Sequence, residues 1–89
     1  MIKARLHKGS LDESIRTSQA FVNVDDMKKW FVDNYNNMFS AEDIVIDEEA
    51  VYDSRIGWNT RYVCTKRYGE KDDGVQCIGM CDLDGNRNE

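Results

Sequence analysis

The sequence predicts a small α+β domain, in which one amphipathic helix packs on one face of an antiparallel sheet of about five strands. The expected element order is β-β-α-β-β-β. Three observations support this prediction: one segment has a helical period, several short runs alternate or are β-branched, and the links between these runs are short. Strands joined by short turns pair antiparallel, and one helix can cover one face of the sheet that they form.

The helical segment is residues 25–39, DDMKKWFVDNYNNMF. Its large apolar side chains are spaced by one, three or four residues, so they share one face of a helix. They are Met27, Trp30, Phe31, Tyr35 and Met38. Asn23 or Asp25 can accept a backbone N–H at the amino end, where a negative charge also suits the helix dipole. We therefore expect this helix to supply the largest part of the hydrophobic core.

Two strands are expected before the helix, in residues 2–8 and 15–24. The first strand alternates, which places its apolar side chains toward the core and its basic side chains toward water. The apolar set is Ile2, Ala4 and Leu6, and the basic set is Lys3, Arg5 and His7. The second strand ends in the apolar residues Phe21, Val22 and Val24, and we expect it to pair antiparallel with the first.

Three strands are expected after the helix, in residues 43–47, 58–67 and 75–82. The first is short and β-branched, and residues 50–55 are also extended in character. Alternation in the second strand places Trp58, Thr60, Tyr62 and Cys64 on one face. Alternation in the third strand places Val75, Cys77, Gly79 and Cys81 on one face. Gly57 indicates a bend or bulge before the second of these strands.

The length of 89 residues predicts one domain, residues 1–83, followed by a polar tail, residues 84–89, that we expect to fray. A domain of this size buries only about 60% of its unfolded surface and has little room for a deep cleft. The net charge of −5 disfavours sequence-independent binding to a phosphate backbone, which depends on clustered lysine and arginine. Three cysteines and no apolar leader or membrane span predict a cytoplasmic protein with reduced thiols.

No catalytic or metal-binding set is expected in the chain, and therefore no cofactor. Cys77 and Cys81 are separated by about 13 Å at the rise of a strand, too far apart to bind one zinc ion. His7 is the sole histidine that could activate a cysteine, and its spacing does not support that role. The acids of residues 82–86 lack the later ligands of a calcium loop. We therefore expect a protein that is not an enzyme.

Charged side chains are unevenly distributed in the second half of the chain. Residues 42–53 contain six acids and no base, whereas residues 55–71 contain five bases and one acid. One interpretation is a solvated surface, and another is a pair of patches that bind a charged partner. In the second interpretation, the candidate partner-binding acids are Asp47, Glu48, Glu49 and Asp53.

An aromatic and arginine-containing string, YDSRIGWNT, covers residues 52–60. One interpretation makes Trp58 a core anchor together with Ile56. The other interpretation is an exposed binding surface formed by Tyr52, Arg55, Trp58, Arg61 and Tyr62. Tyrosine, tryptophan and arginine are enriched at protein-binding hot spots, and their planar groups also stack on single-stranded bases.

This string resembles a motif of small uncharacterised proteins that are encoded by phages and conjugative elements of Gram-positive bacteria. The matching residues are Tyr52, Asp53, Arg55, Ile56, Gly57, Trp58, Asn59 and Thr60, with Gly79 in the last strand. The resemblance covers about a third of the chain and implies a mobile-element origin. It implies no particular activity, and no functional residue follows from it.

Two functions are compatible with these observations. The first is a small, acidic, non-catalytic accessory factor that binds a host or phage protein, as an inhibitor or modulator encoded by a mobile element. The alternative is a module that binds single-stranded nucleic acid through the aromatic and basic hairpin of residues 55–67. In both cases we expect no membrane association, and a monomer or a homodimer joined through an edge strand.

Overall fold

The computed structural model describes residues 1–7, 17–66 and 76–84. These residues form six strands and one α-helix, numbered here in chain order. The strands are β1 (Ile2–Leu6), β2 (Gln19–Phe21), β3 (Ile44–Ile46), β4 (Val51–Asp53), β5 (Trp58–Thr65) and β6 (Gln76–Asp82). The helix, α1 (Val24–Asn34), follows β2, and a 3₁₀ turn (Ala41–Asp43) precedes β3. The predicted α+β class is confirmed, with β4 as a sixth strand.

The paired strands of the described residues are all antiparallel, in the order β2-β1-β6-β5-β3. The last strand of the chain, β6, lies in the middle and joins β1 to β5. On the other edge of β5, its first residues pair with β4 and its last residues pair with β3. β3 and β4 therefore lie end to end along β5, and the loop that connects them lies beside the middle of that strand.

Helix α1 begins where the sequence predicts and ends earlier. The side chain of Asn23 accepts a backbone N–H of the first turn at 2.8 Å, so the predicted cap is confirmed. After Asn34 the chain leaves the helix, and Asn36 and Asn37 adopt left-handed backbone angles, with φ of 57° and 58°. Such angles cannot continue a right-handed helix. The predicted continuation to residue 39 is therefore wrong.

The hydrophobic core lies between α1 and one face of the sheet. Its buried residues are Ala4, Met27, Phe31, Tyr35, Phe39, Ile44, Val63, Ile78 and Cys81. Trp30 is half-buried, and its ring packs on that of Phe21 with 5.4 Å between centroids. Met38 is 61% exposed, so its predicted place on the buried face is wrong. Because the helix ends early, Phe39 turns inward in its place.

The predicted exposure of the basic side chains of β1 is wrong for Arg5, whereas His7 is exposed and Lys3 is half-buried. Arg5 is 6% exposed, and its guanidinium carbon lies 5.9 Å from the centre of the Trp58 ring. Burial lowers the pKa of Arg5, and the carboxylate of Asp53 opposes that fall. β1 lies between β2 and β6, and the ring of Trp58 lies beside the Arg5 guanidinium. An interior strand with a large side chain packed beside its polar residue does not follow simple alternation of buried apolar and exposed polar residues.

A bulge in β6 changes the face on which Cys77 lies. Val63 of β5 pairs with Gly79, whereas the next residue, Cys64, pairs with Cys77. Ile78 is therefore an extra residue in β6, and it reverses the alternation. The predicted common face of Cys77 and Gly79 is wrong for this reason, since paired residues lie on the same face of a sheet.

The carbonyl of Ile78 ties this bulge to its neighbours. It accepts the hydroxyl of Tyr35 at 2.8 Å and the backbone N–H of His7 at 3.0 Å. The tyrosine comes from the segment after α1, and the histidine follows β1. These two hydrogen bonds satisfy the Ile78 carbonyl, a buried backbone acceptor that would otherwise lack a partner at the bulge.

Some predictions concern residues outside the described ranges. They include the start of the second predicted strand (residues 15–16), the turn at residues 68–74, and residues 85–89 of the tail. Within the described ranges, no helix is both long enough and apolar enough to cross a bilayer.

Candidate binding surface

Residues 54–57 join β4 to β5 in a tight hairpin. The carbonyl of Asp53 accepts the backbone N–H of Ile56 at 3.2 Å and that of Gly57 at 2.8 Å. Gly57 has a φ of 75°, a left-handed conformation that glycine adopts without steric cost. The predicted bend at Gly57 is confirmed, and it returns β5 along β4.

Asp53 and Arg55 are joined by three hydrogen bonds at the tip of this hairpin. The Asp53 carboxylate accepts the backbone N–H and the Nε of Arg55 at 3.0 Å each, and the Nη2 at 2.8 Å. The side-chain bonds lower the pKa of Asp53 and raise the pKa of Arg55. The Arg55 side chain is 68% exposed, so the guanidinium is accessible while Asp53 offsets its charge.

Large apolar side chains are exposed along β3, β4 and β5. They are Val45 (41%), Val51 (71%), Tyr52 (62%) and Tyr62 (53%). An open groove of about 410 Å³, which we call the hairpin groove, lies among three of them. It is lined by Val51, Tyr52, Thr60 and Tyr62 on the strands and by Asp53, Ser54 and Arg55 at the turn. Exposed apolar groups that cluster in this way are typical of interaction surfaces.

The loop between β3 and β4, residues 47–50, lies beside Tyr62, and we call it the acidic loop. The backbone N–H of Asp47 donates to the carbonyl of Tyr62 at 2.9 Å. Nη1 of Arg61 donates to the carbonyl of Asp47 at 2.9 Å and to that of Glu48. Arg61 therefore holds the loop through its backbone. The exposed acidic side chains of this loop are Asp47, Glu48 and Glu49.

The structure divides the predicted acidic patch into two parts. Asp47 lies opposite Tyr62 on β5, whereas Asp53 pairs with Trp58, four residues farther along the strand. Four residues correspond to about 13 Å at the rise of a strand. Because Asp53 is also bound to Arg55, the exposed negative charge beside the hairpin groove comes mainly from the acidic loop.

The aromatic and basic set of the alternative hypothesis is divided as well. Trp58 is 7% exposed and packs beside Arg5, as the core interpretation predicts. Arg61 is half-buried and bonded to the acidic loop. Tyr52, Arg55 and Tyr62 are the members of the set that are exposed. Since a base can stack only on an accessible ring, Tyr52 and Tyr62 are the aromatic members available for stacking.

Sequence reasoning missed the exposure of Val45 and Val51. Both are β-branched residues in extended segments, a pattern that usually indicates burial. They are exposed because β3 and β4 are short edge strands, and because both valines lie on the sheet face opposite α1. The available signal was the acidic run on both sides of these strands, which is typical of an edge rather than of a sheet interior.

The three thiols occupy two environments. Cys64 and Cys77 pair across β5 and β6 and are half-buried, whereas Cys81 lies in the core. Burial raises the pKa of all three thiols, and it raises that of Cys81 to about 12. The residues that the structure describes contain no group of three histidine, cysteine or acidic side chains able to hold a metal ion.

The described surface therefore belongs to a small α+β domain with an aromatic groove beside an acidic loop. Comparisons with protein-family models, with curated proteins and with solved structures found no match to this chain. The function is accordingly inferred from the geometry and chemistry of this surface.

Proposed function

We propose that this protein is a small, acidic, non-catalytic accessory factor that binds another protein through the hairpin groove and the acidic loop. The observation that carries the proposal is the exposure of Val51, Tyr52 and Tyr62 around the hairpin groove. Tyrosine is enriched at the hot spots of protein interfaces, because its ring buries a large area while its hydroxyl can still hydrogen-bond.

The partner is inferred to present an apolar side chain flanked by lysine or arginine. The volume of the hairpin groove, about 410 Å³, suits one or two side chains of a protein surface. The acidic loop has three exposed acidic residues, and its first residue, Asp47, is hydrogen-bonded through its backbone to Tyr62, which lines the groove. Opposite charges across an interface increase the association rate and favour the correct partner.

Arg55 and Arg61 have different parts in this proposal. Arg55 is exposed at the end of the hairpin groove, where its free N–H groups can donate to a carbonyl of the partner. Arg61 is a positioning residue, because it bonds the backbone of the acidic loop. It holds the acidic loop beside Tyr62, so that the apolar and charged halves of the surface are presented together.

A mobile-element origin, implied by the resemblance of the RIGWNT string, suits an inhibitor or modulator of a host protein in the cytoplasm. The length of 89 residues and the net charge of −5 are compatible with a soluble binding module that acts by occupying a surface. This role requires no cofactor and no catalytic group.

Affinity capture from a bacterial lysate, with and without nuclease, tests the proposal when variants are compared. The wild-type protein is compared with Tyr62→Ala and with the double variant Glu48→Gln, Glu49→Gln. We expect a partner that resists nuclease, and an affinity at least about 10-fold weaker for Tyr62→Ala. We expect the double variant to bind more slowly and with a weaker dependence on salt.

Matched controls lie elsewhere on the described surface. Met38→Ala removes another exposed apolar side chain, and Asp25→Asn with Asp33→Asn removes two exposed charges on or beside α1. Both controls should retain the partner. Equal losses for controls and test variants would contradict the proposed site. Loss of every partner after nuclease treatment would instead support the single-stranded nucleic-acid alternative, and recovery of the bait alone would favour self-association.

A further inference from the structure

Cys64 and Cys77 lie directly opposite one another on β5 and β6. The backbone N–H of Asp47 donates to the carbonyl of Tyr62 at 2.9 Å, and the backbone N–H of Lys66 donates to the carbonyl of Asp43 at 3.2 Å. Tyr62 and Lys66 therefore direct their backbone groups toward the β3 side of β5. Since the backbone groups of alternate residues in a strand point toward the same neighbouring strand, those of Cys64 also point toward β3. The backbone N–H and carbonyl of Cys64 therefore point away from β6, as in a non-hydrogen-bonded pair.

Directly paired residues of antiparallel strands have Cα atoms about 4.5–5.5 Å apart, within the range that a disulfide requires, about 4.4–6.8 Å. The two side chains lie on the same face of the sheet, and a hydrogen bond between the two thiols affects the ionisation of both. Both residues are half-buried, so a small reagent can reach them. Cys81 is 0% exposed and lies on the α1 face, where it cannot reach the pair.

We propose that Cys64 and Cys77 form a reversible cross-strand disulfide by exchange with a low-molecular-weight disulfide such as oxidised glutathione. The bond closes the β5–β6 hairpin covalently beside the bulge at Ile78. It also fixes the strand that carries Tyr62, two residues from Cys64 on the same face.

The exchange proceeds in two substitutions at sulfur. The thiolate of one cysteine of the pair attacks one sulfur of the small disulfide, and one small thiolate leaves as a mixed disulfide forms at that cysteine. The thiolate of the other cysteine then attacks the protein sulfur of the mixed disulfide, the protein disulfide forms, and the second small thiolate leaves. The protons of the two cysteines pass to the two departing thiolates. Two protein thiols are oxidised, and one small disulfide is reduced to two thiols.

The surroundings of the two thiols raise the pKa of both. Burial raises the pKa of Cys77, whereas its contacts with Gly79, Cys64 and Arg5 oppose part of that rise. Burial also raises the pKa of Cys64, and Cys77 and Asp47 raise it further. Because the thiolate is the reactive form of cysteine, the exchange should become faster as the pH rises.

Intact-mass measurement and peptide mapping after incubation with oxidised glutathione test this proposal. The wild-type protein should lose about 2 Da, which corresponds to two hydrogen atoms, and dithiothreitol should restore the original mass. Mapping should identify a Cys64–Cys77 linkage. The matched control Cys81→Ser should behave like the wild type.

Two further variants test the role of each thiol. Cys64→Ser should stop at a mixed disulfide on Cys77, because no resolving thiol remains. Cys77→Ser should stop at a mixed disulfide on Cys64 for the same reason. A stable mixed disulfide on the wild-type protein, a linkage that contains Cys81, or covalent dimers would overturn the proposal. The wild-type mass and map decide the outcome even if a variant fails to fold.

Discussion

The ring of Phe31 lies directly over Gly79, and this contact sets how closely α1 approaches the sheet. A β-carbon at position 79 would lie 2.9 Å from Cζ of Phe31, and closer still to another ring carbon and to the carbonyl of Arg5. The absence of a side chain in the middle of β6 is therefore what allows the helix to pack at this distance. Gly79 is thus the position of the sheet that accommodates the Phe31 ring of the helix.

Gly79→Ala should destabilise the fold by about 1–3 kcal/mol, the usual cost of placing an extra carbon in a packed core. Urea unfolding followed by circular dichroism measures the change. Phe31→Leu removes the ring and relieves part of this clash. The loss of stability in the double variant, Gly79→Ala with Phe31→Leu, should therefore be smaller than the sum of the losses in the two single variants, by at least about 0.5 kcal/mol. Additive losses would show that the ring contact does not limit the packing.

Trp58 should behave as a core residue. In a Trp30→Phe background, Trp58 is the remaining tryptophan, and its fluorescence should be quenched by acrylamide much less than that of the unfolded chain. Trp58→Ala should cost about 3–5 kcal/mol of stability, the range for large aromatic residues in cores. Strong quenching together with a small loss of stability would show that Trp58 is exposed and therefore accessible for stacking on a base.

The Asp53 carboxyl should titrate below its ordinary pKa of 3.8, because the Arg55 side chain donates hydrogen bonds to its ionised form. Carbon-detected NMR of the carboxyl group measures this pKa. Arg55→Gln should move it back toward the ordinary value. Because the folded-state pKa is lowered, the pair stabilises the fold above about pH 4, and this contribution is lost as the pH falls through the folded-state pKa. An unchanged pKa in the variant would contradict this cause.

Cys81 should make the fold sensitive to alkaline pH. Burial raises its pKa from 9.0 to about 12, with Arg61 lowering and Asp82 raising the value by smaller amounts. Below about pH 9 the thiol is neutral in both states, so its contribution is complete. Above that pH the unfolded state ionises first, and stability falls by about 1.4 kcal/mol per pH unit until the folded thiol ionises too.

The variant Cys81→Ala isolates this effect from other alkaline titrations. The difference in unfolding free energy between wild type and variant should shrink as the pH rises from about 9 toward 12. A difference that stays constant over this range would show that the thiol is not buried in the folded protein.

The local elements of the fold could be predicted from the sequence. The helix was located by the spacing of its large apolar residues, and its cap by Asn23, since both depend on neighbours within a few positions. The bend at Gly57 and the alternation along β5 are local features of the same kind. The exposure of the acidic loop also follows from composition, because a dense set of carboxylates is costly to bury.

The candidate site could be predicted only in part. Tyr52, Arg55 and Tyr62 are exposed, as one interpretation predicts, but Trp58 is buried beside Arg5 and Arg61 is bonded to the acidic loop. The place of Val51 in the hairpin groove was not foreseen. Whether a side chain in a strand is buried depends on which residues pack on its face of the sheet, and those residues are distant in the sequence.

The sequence by itself determined the α+β class, the helix and its cap, the hairpin at Gly57 and the acidic character of one loop. These features depend on backbone preferences and on periodicity over a few residues. The tertiary structure decided the burial of Arg5, the extra residue at Ile78 and the pairing of Cys64 with Cys77. Each of these depends on β6 lying between β1 and β5, a long-range arrangement that no local pattern encodes.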